Sequence, residues 1–271
     1  MGELTPLPPS APPATSGPPT PPTAAPSAGH ENVRQYSIAL ANIGAIFGVL
    51  SLYLLYRRGY YNLYIANKAL ANAAAITFGI VLLLGPLGRY FNAFDRYLKY
   101  RKELGMTGAV VALAHGIISY FFLRDHFPWE RFYTYGKIPF AFALSASLIL
   151  IVLIVISNRP MMHAFGGKLW WWMQHWGVRV MFLLVALHVG VMKWSGWVSW
   201  YQKGGGAPSA ALKNPWLPGA GLLIGWFIAF VLLVRIADMV HHRLGKTMWY
   251  VACVALPAIY VVTFWWGLGF A

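Results

Sequence analysis

The run WWWMQHWGVRVMFLLVALHVGVMK, Trp170 to Lys193, decides how this chain is read. Its only charged residues are Arg179 and the terminal Lys193. A hydrocarbon core of roughly 30 Å takes about 20 helical residues to cross, so this run is long enough to span a bilayer. Inside lipid the backbone must satisfy its own polar groups, which makes the run a helix. It also carries two histidines, His175 and His188. A titratable ring in hydrocarbon is costly without a partner, which marks intramembrane histidines as site candidates.

Six further apolar runs surround it: Tyr36 to Tyr56, Ala66 to Gly88, Met106 to Leu123, Ile138 to Ser157, Trp216 to Ala237 and Trp249 to Phe270. The third contains His115. A barrel strand's ten-residue alternation is absent, so the expected fold is an all-α, polytopic membrane helix bundle of seven spans. Composition agrees: of 271 residues 58% are hydrophobic and only 10% charged, too little polar surface for a soluble globule of this size.

Residues 1–33 form a Pro, Ala, Ser and Thr-rich tail, expected to be disordered because it has too little apolar surface to bury. It contains no basic stretch leading into an apolar one, so no cleavable signal peptide is expected and the first span is retained. The membrane part occupies residues 34–240, and 241–271 hold one more span. Lys203 to Gly206 reads as a flexible connector rather than a phosphate cradle.

The net charge of +14 is scattered through the loops in small groups, as topogenic and headgroup-facing charges are, so the lipid bilayer is the expected partner and no nucleic acid is implied. With Arg179 left out, eleven Lys and Arg fall on one side of the membrane and nine on the other. The dense short loop Arg89 to Gly105 argues for cytoplasm on its side, which places the N-terminus inside. Intramembrane acids are almost missing, against a proton pump or cation transporter, and Asp238 at a helix end is expected to be solvated. The tryptophans at both ends of the quoted run, Trp200 among them, read as aromatic-belt anchors. Motifs for nucleotide binding, zinc proteolysis and serine hydrolysis are not found.

Haem iron is the partner that suits the histidines best. The single Cys253 excludes a Cys-x-x-Cys-His attachment and a four-cysteine iron-sulfur cluster, so any haem is a non-covalent b-type haem. His175 and His188 are thirteen residues apart, about 20 Å along a helix and roughly 140° out of phase. For both to face one interior, that helix would need a kink or π-bulge, expected near Gly177. Arg101 and His115, fourteen apart, return to within roughly 40° of one face. A packed histidine bonded to a neighbouring serine or carbonyl is the plain alternative.

The segment Arg101-Lys-Glu-Leu-Gly-Met-Thr-Gly before His115, then Trp171-Trp172-Met-Gln-His175 and His188, resembles the ferric-reductase-like transmembrane domain family. Within it the pattern is most similar to the MsrQ (YedZ) type, the haem-bearing membrane subunit of a methionine sulfoxide reductase system. The resemblance covers roughly Tyr36 to Ala237. It implies a six-helix core plus one extra C-terminal span, with His115 and His188 as axial ligands of an outer haem and His175 level with Arg101 near the cytoplasmic leaflet. Where related oxidases carry a histidine this chain has Arg101, and a guanidinium has no lone pair for iron. A second haem on His175 therefore stays open, and Arg101 could instead bind a haem propionate or the phosphate of FMN. Gln174, where Leu is more usual, and the seventh span depart from the family pattern.

The resemblance implies an electron-transfer subunit, not a complete enzyme. Electrons would come from a cytoplasmic flavin reductase or from quinol, and leave to an extracytoplasmic redox acceptor, a molybdenum reductase in the MsrQ case, across a bacterial inner membrane. A structural or (bacterio)chlorophyll-binding accessory subunit of a larger membrane complex is the rival reading. A small transporter is disfavoured by the missing acids and repeats.

Overall fold

Long uninterrupted stretches of Leu, Ile, Val, Ala and Phe, punctuated by Pro, Gly and Asn, make helices, and the computed structural model is built from little else. It describes residues 28–203 and 212–269. The helices are α1 (Ala28–Arg58), α2 (Leu63–Tyr90), α3 (Arg101–Ile117), α4 (Trp129–Tyr133), α5 (Lys137–Ile156), α6 (Arg159–Phe165), α7 (Gly167–Lys203), α8 (Ala220–Val240) and α9 (His242–Leu268). A 3-10 stretch, Asn92–Tyr100, leads into α3, and a π-turn, Ile118–Phe122, ends it. Among the described residues, seven segments are long and apolar enough to cross a membrane. The large side chains on their outer faces, such as Leu52, Val191, Val254 and Trp265, are exposed. Lipid is the surrounding that accepts such a surface.

The bundle is organised around α2, whose most apolar stretch is 67% buried against 11–44% for the others. It packs on α1, α3, α7 and α8, while α5 lies along α7 and α9 along α8. Phe78 and Leu82 of α2 meet Leu150 of α5, Phe182 of α7 and Val231 of α8 in the main core. Without a strong hydrophobic force between helices in lipid, close approach over small residues holds them together. A Cβ on Gly79 would strike the Phe227 ring, one on Gly108 would crowd Thr77, and one on Gly225 would strike Trp197.

Several boundaries differ from the sequence reading. Helix α1 begins at Ala28, so 28–33 of the expected tail are helical, while 1–27 lie outside the described residues. The expected loop Arg89 to Gly105 is mostly helical, with the 3-10 stretch laid on α2 at Gly88, where a Cβ would stand 3.1 Å from Asp95 Oδ1. Helix α8 starts at Ala220 and not at Trp216, because the preceding turn is tied down: Tyr53 donates to the Pro218 carbonyl and Arg57 Nε to that of Leu217. The connector at 204–206 lies outside the described residues.

The largest correction concerns α7. It runs to Lys203, ten residues past the expected end, as an unbroken α-helix with no π-turn at Gly177. Gly177 serves packing: a Cβ there would lie 2.7 Å from Leu153 Cδ2 on α5. The π-turn sits instead on the other histidine helix, just beyond His115. Overpacking a close contact costs about 1–3 kcal/mol. A Gly177→Val protein is therefore expected to lose that much stability, measured as a lowered thermal unfolding midpoint in detergent.

Candidate functional site

His115 lies near the end of α3, and His188 just past the middle of α7. Both helices pack on α2 and α5. The two rings are close enough to interact electrostatically. His115 Nδ1 is 3.1 Å from the Asn67 carbonyl and 3.0 Å from Asn67 Oδ1. Asn67 is 2% exposed, and its Nδ2 donates to Ser119 Oγ at 2.8 Å. Ser119 belongs to the π-turn, so that local widening helps to orient the amide toward His115. On α7, His188 Nδ1 is 2.8 Å from the Pro139 carbonyl on α5. Each of these partners is an acceptor, so Nδ1 carries the proton in both rings and Nε2 keeps its lone pair. A carbonyl holding Nδ1 is the usual outer support of a metal-bound imidazole.

The other pair sits elsewhere. Arg101 and His175 line one cleft of about 350 Å³, whose wall does not include His115 or His188. Arg101 packs over Gly85 of α2. Trp171 stacks on the His175 ring with centroids 4.4 Å apart. Lys99 and Lys102 add charge to the rim. Gln174, where the family pattern has Leu, donates to Ser157 Oγ at 2.9 Å and so ties α7 to the end of α5. An unbroken α7 thus carries His175 in the cleft and His188 outside it.

Sequence reasoning missed two buried acids. Asp238 was expected to be solvated, yet its side chain is 4% exposed and accepts from Arg89 at 2.5 Å, Tyr90 Oη at 2.8 Å and Arg235 at 3.1 Å, with His242 at 4.0 Å. The Arg235–Asp238 spacing was readable as an i,i+3 pair, whereas Arg89, 149 positions away, was not. Glu103, on α3 two residues past Arg101, is buried, and its Oε2 has no hydrogen-bond partner. Trp200 is also buried, against α9 at Gly267, and is therefore a packing residue rather than a belt anchor. His126, His163 and His241 are exposed: His126 stacks on Tyr64, and His241 caps α9 by accepting from the Arg243 amide.

Among the described residues, no group of three or more His, Cys, Asp or Glu is placed to hold a metal ion. What the two rings share is an Nε2 with no hydrogen-bond partner among the described residues and an Nδ1 held by a carbonyl. No family model matches the chain, and no curated protein matches it.

Proposed function

We propose that this chain is a b-type haem electron-transfer subunit of the ferric-reductase-like kind, nearest in pattern to MsrQ, with α1 to α8 supplying a six-span core and α9 the additional span. The observation that carries the reading is the pair His115 and His188, each with Nδ1 held by a main-chain carbonyl and Nε2 left for a ligand. Bound between two such imidazoles, haem supplies one-electron transfer with no open coordination position. The chain's own part is to fix the tautomer and direction of both rings and to exclude water from them.

Lys99, Arg101 and Lys102 make the other cleft attractive to an anionic redox group, such as the phosphate of FMN or a haem propionate. In the proposed orientation that cleft faces the cytoplasm of a bacterial cell and receives electrons from a flavin reductase or quinol. The histidine pair lies nearer the opposite face, where an extracytoplasmic acceptor, a molybdenum reductase in the MsrQ case, would take them.

The test is an absorption spectrum of the detergent-purified protein, oxidised and dithionite-reduced, with haem counted per chain. Sharp reduced bands of a b-type cytochrome are expected. A colourless protein overturns the reading, and far-red absorption assigns the histidines to a chlorophyll-type pigment instead. Removing an outer support of a metal ligand typically weakens binding by about 10–100-fold. Asn67→Ala is accordingly expected to lower haem affinity by about tenfold or more in titrations of the apoprotein.

A further inference from the structure

At the end of the bundle opposite Asp238, α7, α8 and α9 border a pocket of about 290 Å³ lined by Tyr201, Trp226, Ala258, Ile259, Val262 and Thr263. No charged residue lines it. Ala258 and Val262 lie on the exposed face of α9, so the pocket opens sideways, toward lipid. Pro257, one residue before Ala258, has no N–H to give the Cys253 carbonyl, and α9 therefore lacks a ladder bond beside the pocket. Three hydrogen-bond donors meet on its polar side. Trp226 Nε1 donates to Tyr201 Oη at 3.0 Å, and Tyr201 Oη shares a hydrogen bond with Thr263 Oγ1 at 2.9 Å. Three protons thus serve two bonds. The buried Thr77 and Thr107 each donate to the carbonyl four residues back, whereas Thr263, 1% exposed, has only its bond with Tyr201 among the described residues. One hydroxyl proton of the pair is left without an acceptor at the wall of an apolar pocket, where an unmade hydrogen bond is costly. Trp226 stands six residues into α8, Thr263 five before the end of α9 and Tyr201 two before the end of α7, so the group lies within about 9 Å of the helix ends. Trp265 and Trp266, exposed on α9, mark the aromatic belt at headgroup level there.

We propose that this pocket seats a diacyl lipid of the bilayer, with the Tyr201 and Thr263 hydroxyl pair donating to a fatty-ester carbonyl and the acyl chain lying over Ala258, Ile259 and Val262. The pocket asks for a neutral acceptor on an apolar body, because its spare donor is a hydroxyl and no cation lines it to hold a phosphate or carboxylate. Ester carbonyls stand just inside the headgroups, the level at which the three helix ends place that donor. The sideways opening lets the rest of the lipid stay in the bilayer. Four of the six lining residues belong to α9, so the seat exists only because the seventh span is present. It stands apart from the histidine pair and does not depend on the haem reading.

The test uses the full chain in detergent, with co-purified lipid read by native mass spectrometry. The protein is then stripped of lipid and titrated with dioleoyl phosphatidylglycerol or with its dialkyl ether analogue, which has the same headgroup and chains but no carbonyls, while the thermal unfolding midpoint is followed. Wild type is expected to retain a diacyl lipid and to bind the ester about two- to tenfold more tightly than the ether, the worth of one neutral hydrogen bond. Tyr201→Phe/Thr263→Val should lose that difference, and Ala258→Trp, which fills the pocket, should respond to neither lipid. Val49→Trp, at an exposed position on α1, should behave as wild type. Equal binding of ester and ether by wild type overturns the proposal, and that comparison decides it even where a variant folds poorly. A preference for the ester that survives in both pocket variants places the lipid elsewhere and overturns it too. So does a co-purified quinone in place of the lipid.

Discussion

His188→Ala protein is expected to purify without the b-type absorption of wild type, and His115→Ala to match it. Each substitution deletes an Nε2 that no neighbouring group replaces, since Pro139 and Asn67 offer only oxygens already turned toward Nδ1. The effect is a loss of the signal rather than a shift in it. Two controls sharpen the result. His163→Ala, an exposed position, should leave the spectrum unchanged. His175→Ala should leave the haem held by His115 and His188 in place, because His175 lies in the separate cleft with Arg101. Ligand at about a hundred times its dissociation constant stabilises a fold by about 2.7 kcal/mol. The two colourless variants should therefore also unfold at lower temperature, and retention of full haem in either would remove that histidine from the ligand set.

Asp238→Ala is expected to be among the most destabilising single changes in the chain, by about 3–5 kcal/mol, the range for removing one partner of a buried ion pair. Asp238 alone accepts from Arg89, Arg235 and Tyr90, and Arg235 on its own helix is nearly as buried as the acid. Deleting the carboxylate leaves that guanidinium charged and unpaired. Arg89 is a milder site, because its side chain is 58% exposed and exposed pairs contribute about 0–1 kcal/mol. Thermal unfolding in detergent should rank Asp238→Ala well below Arg89→Ala. Replacing Asp238 and Arg235 together by apolar residues should recover much of the loss. An Asp238→Ala protein as stable as wild type would mean that water or lipid reaches Arg235.

The histidines and Arg101 were legible as candidates because lipid makes polar residues conspicuous. Their grouping was only partly so. The resemblance put His115 level with His188 and Arg101 level with His175; Arg101 and His175 do line one cleft, and His115 and His188 lie outside it. Counting residues along an ideal helix asked for a kink in α7, because it assumed that both of its histidines look into one interior. Leu153 occupies the space over Gly177, the helix continues through it in α-form, and His175 lines the cleft while His188 does not. Asn67 and Ser119 were unreadable as supports, since their use depends on the π-turn and on the packing of α2 against α3.

Asp238 shows the same division from the other side. A carboxylate beside a helix end reads as solvated from local sequence, and it becomes a buried hub only when α2 brings Arg89 and Tyr90 against the end of α8. The sequence by itself determined that the chain is a polytopic helical membrane protein, which residues are chemically exceptional in it, and roughly how deep each lies. Those properties follow from hydropathy and the 1.5 Å rise of a helix, both local. Only the tertiary structure decided which exceptional residues share a site, which nitrogen of each ring is held, and which charges are left without a partner. Those depend on the rotation and crossing of helices, set by contacts such as Gly177 on Leu153 between residues far apart in the chain.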